Sequence, residues 1–192
     1  MELFEALKAR RSIGKVQLDK EVPKELIEQI IEAATWAPNH HRTEPWRFFV
    51  LTGDGRKPLG ETLARIAAKG MDDPSTEENQ GKLEKARKNP FRAPVIIVAA
   101  VEPSEGDKII LQEEYAAVHA GVQNMLLAAH ALGLGAVWRT GKPAYDPEMS
   151  KQFGLSDKGE VVGFVYVGYP DMTPAPRKRR AVSEVTKWID KE

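Results

Sequence analysis

The sequence contains no cysteine among its 192 residues, and its 28 Lys and Arg residues balance its 28 Asp and Glu residues. The absence of cysteine excludes disulfide bonds, thiolate nucleophiles and zinc sites with cysteine ligands. The balanced charge removes the overall positive field that is typical of dedicated nucleic-acid-binding proteins. Any recognition of phosphate must therefore come from a local cluster of cations.

Long apolar runs are also missing. The longest extends from Ala93 to Val101, whereas a membrane-spanning helix requires about 20 apolar residues. The first residues, MELFEALKARR, place acidic residues before basic ones and do not resemble a secretory signal. The sequence therefore predicts a soluble, cytoplasmic protein with no membrane segment.

Several motifs that carry chemistry are absent. Gly141-Lys142 is followed by Pro143 rather than by the Ser or Thr of a P-loop, and Gly133-Leu134-Gly135 has Trp138 where a dinucleotide fingerprint needs its third glycine. None of the four histidines shows the pairing with glutamate that a metalloprotease helix requires. No acid–base pair and no serine elbow stands out. We predict no metal site and no catalytic side chain.

The composition that remains is that of a globular protein. Hydrophobic residues make up 42% and charged residues 29%, and a chain of this length corresponds to about one domain, here residues 1–192. Helical spacing of apolar residues over 23–36 and 115–132, with apolar strand patterns at 46–52, 93–101 and 161–168, predicts helices packed on one sheet.

The sequence also predicts the structure of three further segments. Residues 69–90 are polar and mix Glu with Lys at helical spacing, which predicts a mobile helical excursion. Residues 170–192 form an extended basic tail. The helix at 115–132 is apolar nearly all round, so we expect it to be buried, against a second subunit of the protein.

Cations gather in three places: Arg10-Arg11-Ser12, Trp138-Arg139-Thr140-Gly141 and Arg177-Lys178-Arg179-Arg180. Arginine's planar fork together with a hydroxyl suits the oxygens of a phosphate monoester. Three converging clusters would build one phosphate pocket. Alternatively, each cluster is a solvated surface run, because exposed ion pairs contribute only about 0–1 kcal/mol.

The segment from Ala37 to Trp46 places polar and imidazole side chains between two prolines. Rigid loops of this composition commonly hold planar ligands. The alternative is a turn that merely stops a helix, with Trp36 and Trp46 in the core.

Five motifs in order resemble the FMN-dependent nitroreductase family, and most closely its compact YdjA-like branch. They are RRS at 10–12, the APNHHRTEPWRFFV segment at 37–50, GLGAVWRTG at 133–141, VVGFVYVGYP at 161–170 and the basic tail before SEV.

This resemblance implies an α+β, three-layer sandwich with a central mixed β-sheet flanked by helices. It also implies a homodimer formed through long buried helices, with FMN in two clefts at the interface. The cofactor-binding residues that it implies are Arg10, Arg11 and Ser12 at the phosphate, Trp138, Arg139, Thr140 and Gly141 beside the ring and phosphate, Arg177 and Arg179 from the tail, and Trp36 and His40, the latter from the opposite subunit.

The implied activity is an oxidoreductase that transfers hydride from NAD(P)H through FMN to a nitroaromatic, a quinone or a similar conjugated acceptor. The chain departs from the family pattern at Gly14 and Lys15, where many relatives have a cation two residues after RRS, and at Arg42 and Glu44, which replace Asn and Gln. One alternative is an FMN carrier or sensor with little turnover. Another is an interaction module whose basic tail binds nucleic acid, although the net charge of zero argues against nucleic acid as a partner.

Overall fold

The computed structural model describes residues 2–190, so Met1 and the last two residues of the predicted domain and tail lie outside it. The helices and strands are α1 (Leu3–Ala9), α2 (Lys24–Thr35), β1 (Trp46–Thr52), α3 (Lys57–Ala68), α4 (Glu77–Lys88), β2 (Val95–Val101), α5 (Leu111–Ala131), β3 (Gly135–Arg139), α6 (Pro147–Gln152) and β4 (Glu160–Gly168). Short 3-10 turns lie at His40–Arg42, Gly53–Arg56, Asn89–Arg92 and Val182–Glu184.

The four strands form one sheet in the order β1-β2-β4-β3. All three pairings are antiparallel, which corrects the expected mixed sheet within the described residues. The strand patterns could not give this direction, because a continuous apolar run reports burial on both faces and is as compatible with an antiparallel neighbour as with a parallel one.

The sheet lies between two helical layers, which confirms the α+β sandwich. Alternate residues of β2 point to opposite faces. Val95, Ile97, Ala99 and Val101 pack with residues of α2 and α5. Ile96, Val98 and Ala100 pack with residues of α3 and α6. Every residue of β2 is buried, because helices cover both sides of the strand.

The segment after α1 brings the start of the chain against the far edge of the sheet. The Ile13 amide donates to the Ala136 carbonyl of β3 at 2.9 Å, and Val16 forms a bridge with Pro170. Gly135 permits the approach, because a Cβ there would lie 2.7 Å from the Ile13 side chain. Residues 10–17 therefore run beside β3 and beside the residues that follow β4.

The region predicted as a helical excursion contains α4, which packs on α3 and buries Leu83 as its one apolar anchor. Within residues 2–190, no helix has the length and apolar character that crossing a membrane requires.

Candidate functional site

A cavity of about 270 Å³ lies between the end of α1 and the tail; we call it the arginine cradle. Its lining residues are Arg10, Arg11, Ser12, Met172, Pro174, Ala175, Arg177 and Arg179. The structure thus brings together the first and third of the three cationic clusters. No carboxylate lines the cradle, so its field is that of an anion site.

Arg10 is the most confined of these cations. Burial lowers the pKa of its guanidinium, and the neighbouring charges of Arg11 and Arg179 lower it further. Its Nη1 atom is buried and has no hydrogen-bond partner among the described residues. Because a buried unsatisfied donor is costly, and more so on a charged group, the geometry leaves a position that an anionic acceptor would satisfy.

A second cavity of about 310 Å³ adjoins the cradle and shares Arg10, Arg11, Met172 and Pro174 with it. His130, near the end of α5, lines this cavity, and its Nε2 atom is also buried without a partner in the described part of the chain. No group of three or more His, Asp or Glu side chains within residues 2–190 could hold a metal ion.

Trp138 and Arg139 are neighbours on β3 and therefore point to opposite faces of the sheet. Trp138 packs on the α5 side, where its ring centroid lies 5.5 Å from that of His119. The indole lies over Gly163 of β4, whose φ is +149° and where a Cβ would be 2.2 Å from the indole Nε1. Only glycine leaves room for Trp138 in this position.

Arg139 and Thr140 line a separate cavity of about 150 Å³ together with Asn89, Arg92 and Tyr166. The Arg139 guanidinium lies 5.2 Å from the Tyr166 ring centroid, and its Nε is buried without a partner among residues 2–190. Burial raises the pKa of Tyr166, an effect that the charges of Arg139 and Arg92 oppose. The second cationic cluster is thus not part of the arginine cradle within one chain.

Neither Trp36 nor His40 is among the lining residues of the three cavities described above. Trp36 follows α2 and is 81% exposed, whereas Trp46 is buried, so only one of the two tryptophans lies in the core as the simple-turn alternative supposed. His40 stacks on His41 with ring centroids 3.9 Å apart, and its Nδ1 is hydrogen-bonded to the carboxylate of Glu113 on α5.

Comparison with known proteins decides the family. The model of the "Nitroreductase family" matches residues 7–169, which include the cradle residues just after α1, the whole sheet and α5. The chain belongs to the nitroreductase family.

Relatives of this nitroreductase match over nearly its full length. It is 34% identical to "Putative NAD(P)H nitroreductase YdjA" of Escherichia coli (strain K12), over 90% of each chain. The crystal structure of a nitroreductase-like family protein from Bacillus cereus shares 32% identity, with a TM-score of 0.83 over 100% of this chain and 97% of that one. A second structure, described as a "putative nitroreductase in complex with fmn" from Desulfovibrio desulfuricans, shares 26% identity, with a TM-score of 0.72 over 100% and 99%.

No sequence motif marked Arg92, Asn89 or His130, which line the cavities described above. Arg92 lines the Arg139 cavity and also a larger cavity, of about 780 Å³, beside residues 14–20. It follows Asn-Pro-Phe in a polar connection before β2, where no motif marks it. A cation directly before the apolar run at 93–101 is the one available signal, although β2 itself begins only at Val95.

Proposed function

We propose that this nitroreductase is an NAD(P)H oxidoreductase that binds FMN with its phosphate in the arginine cradle. Bound FMN supplies the transfer of hydride from NAD(P)H and of electrons to the acceptor, while the protein binds and orients it. The acceptor class we propose is a nitroaromatic, a quinone or a similar conjugated electrophile, and the assembly is a homodimer.

The observation that carries the proposal is the unsatisfied Arg10 in a cavity lined by four arginines and no acid. A phosphate monoester fits this cavity in charge and in chemistry. It would accept from Arg10 Nη1, from Arg177 or Arg179 and from the Ser12 hydroxyl, and it would offset the repulsion among the guanidiniums. Charge-assisted hydrogen bonds contribute about 1.5–3 kcal/mol each when sheltered from water.

From the cradle, strand β3 leads toward the position that we propose for the ring of FMN. Ile13 meets this strand at Ala136, and three more residues at about 3.3 Å each lead to Arg139. We propose that Trp138, Arg139, Thr140 and Gly141 lie at this end, Trp138 on the α5 face of β3, and Arg139 and Thr140 at the cavity that Arg92, an addition to the site, also lines. Trp36 and His40 would complete the cleft of the opposite subunit, a role that suits the high exposure of Trp36 in a single chain.

The side chains of such a site need only bind, orient and exclude water. Trp138 offers an apolar surface held flat on Gly163. Burial lowers the pKa of His119 beside it, which favours the neutral imidazole next to the indole. No side chain is assigned a proton transfer.

Reconstitution followed by reduction tests the proposal. The purified protein is mixed with FMN and desalted, and its visible spectrum is recorded before and after anaerobic addition of NAD(P)H. We expect a retained flavin spectrum that bleaches. Retained flavin that does not bleach would instead support the carrier or sensor alternative, and flavin lost on desalting would contradict both.

A matched pair of variants tests whether FMN binding depends on the residues that line the cradle. Arg177→Ala removes a lining guanidinium, whereas Lys178→Ala removes the adjacent cation of the tail, which is exposed and lies outside the cavity lining. We expect the first variant, and not the second, to raise the FMN dissociation constant in titrations at fixed salt. Equal effects would mean that only the net charge of the tail matters.

A further inference from the structure

Residues 40–44, which we call the site loop, adopt a backbone that their side chains disfavour. His41, Arg42 and Glu44 have φ values of +54°, +57° and +47°, in the left-handed region that residues other than glycine rarely occupy. Such conformations persist only when the surroundings impose them, and they cluster at functional sites. The contacts that impose this one therefore have a purpose beyond connecting α2 to β1.

The main contacts come from two consecutive carboxylates in the first turn of α5. The Thr43 hydroxyl donates to Glu114 Oε1 at 2.6 Å, and the imidazole Nδ1 of His40 is bonded to Glu113. Because a carboxylate can only accept, this bond places a proton on Nδ1 of His40 and leaves Nε2 directed elsewhere. The site loop is thus fastened at both its first and its fourth residue.

Glu114 is suited to a fixed role. It is 2% exposed, and its second oxygen, Oε2, accepts from the Ser104 amide at 3.0 Å. A buried carboxylate must be hydrogen-bonded to be tolerated, and here its two partners come from different segments. Glu114 therefore links α5, the connection from β2 and the site loop at a single point.

We propose that Glu113 and Glu114 are positioning residues that hold the site loop, and with it His40, in the conformation that completes the cofactor cleft. This inference rests on the proposed function for its purpose, but the anchoring itself can be measured without any cofactor. In this role the two carboxylates act through their contacts with the loop.

Thr43→Val tests the anchor with the least damage to the fold. It removes the donor to Glu114, together with the longer contact of the same hydroxyl to the His40 carbonyl at 3.3 Å, and preserves side-chain shape. Glu114 keeps its bond to Ser104. We expect amide hydrogen exchange across residues 39–45 of the cofactor-free protein to quicken by about tenfold, the factor that corresponds to one hydrogen bond to a charged group. Thr43→Ser keeps the hydroxyl and should show the original exchange rate. Glu114→Gln lacks the charge, so its exchange rate should lie between those of the unsubstituted protein and Thr43→Val.

Thr62→Val is the matched control. Thr62 is fully buried and its hydroxyl donates to Gln152 at 3.0 Å, on the other face of the sheet from the site loop. We expect it to leave exchange of residues 39–45 at the original rate. We also expect Thr43→Val to raise the FMN dissociation constant severalfold and Thr62→Val to leave it unchanged.

Different results separate the two proposals. Unchanged exchange in Thr43→Val overturns the anchoring. Faster exchange with an unchanged FMN dissociation constant and an unchanged kcat/KM overturns the positioning role while the proposed function stands. If the unsubstituted protein retains no FMN, the proposed function fails, and the site loop loses the purpose assigned to it.

Discussion

The interior of the sheet and the arginine cradle differ in whether their buried groups find partners within the chain. In β2 and β4 the apolar side chains are covered by this chain's own helices, and the backbone groups pair strand to strand. In the cradle, the buried Nη1 of Arg10 has no hydrogen-bond partner among residues 2–190, and like charges lie side by side. The apolar interior is covered within one chain, whereas in our proposal the phosphate of FMN offsets the repulsion in the cradle.

Substitution in the interior should give the largest effect. Ile97 is fully buried at the centre of the sheet, where it pairs with Val50 and Val165. We expect Ile97→Ala to lower the free energy of unfolding by about 2–5 kcal/mol, because it removes buried methyl groups and leaves a cavity. Urea unfolding of the cofactor-free protein measures this change.

Val50→Ala serves as the control for Ile97→Ala. Val50 lies opposite Ile97 on the edge strand and is 42% exposed, so its truncation should cost much less. Similar losses at the two positions would mean that burial does not set the stability of this sheet. The claim that the interior is stabilised by buried apolar side chains would then be wrong.

Substitution in the cradle should reverse this pattern. We expect Arg10→Ala to raise the FMN dissociation constant by about tenfold to a hundredfold, the equivalent of one charge-assisted hydrogen bond. We also expect little loss of stability without cofactor, because the variant relieves repulsion from Arg11 and Arg179. Titration at fixed salt and urea unfolding of the same samples measure both quantities.

Lys8→Ala, which removes an exposed cation of α1 two residues before Arg10, controls for net charge. A large loss of stability in Arg10→Ala would show that the guanidinium supports the fold rather than a ligand. The cradle would then stabilise the fold as the interior does, and the two regions would no longer differ in this respect.

This difference also explains how far the sequence could predict the molecule. Strands β1, β2 and β4 were predicted within about two residues of their observed bounds, because continuous apolar runs reflect burial directly. The order of the strands was not predicted and the expected mixed direction was wrong, since pairing depends on residues far apart in the sequence. Arg10, Ser12, Arg177 and Arg179 line one cavity, and the sequence could group them because runs of cations next to turn residues are visible as motifs.

The rest of the site depends on tertiary placement. Arg139 was expected beside the other arginines, but the period of two along β3 turns it to the opposite face from Trp138. The backbone of the site loop could not be predicted, because His, Arg and Glu carry little preference for positive φ, and the contacts that impose it come from α5, about 70 residues later.

The smallest effect is expected where opposite charges are already paired within the chain. Asp146 caps α6 by accepting from the Glu148 amide at 2.9 Å, and it also pairs with Lys69. The hydrogen bond from Lys69 and then the backbone bond lower the pKa of this carboxyl. Because the folded protein favours the ionised form, Asp146 stabilises the fold at neutral pH, and this contribution is lost as the pH falls through the lowered pKa.

We expect Asp146→Ala to lower the free energy of unfolding by about 1 kcal/mol at pH 7, the usual loss for a helix cap. The difference should begin to fall near the ordinary Asp value of 3.8 and vanish only once the pH is below the lowered pKa of the folded protein, and urea unfolding as a function of pH measures it. Asp146→Asn keeps the cap and removes the ion pair, so it should retain most of the stability, because partly exposed pairs contribute little. FMN affinity should be unchanged in both variants; a change would mean that this paired network and the unpaired cradle are coupled rather than independent.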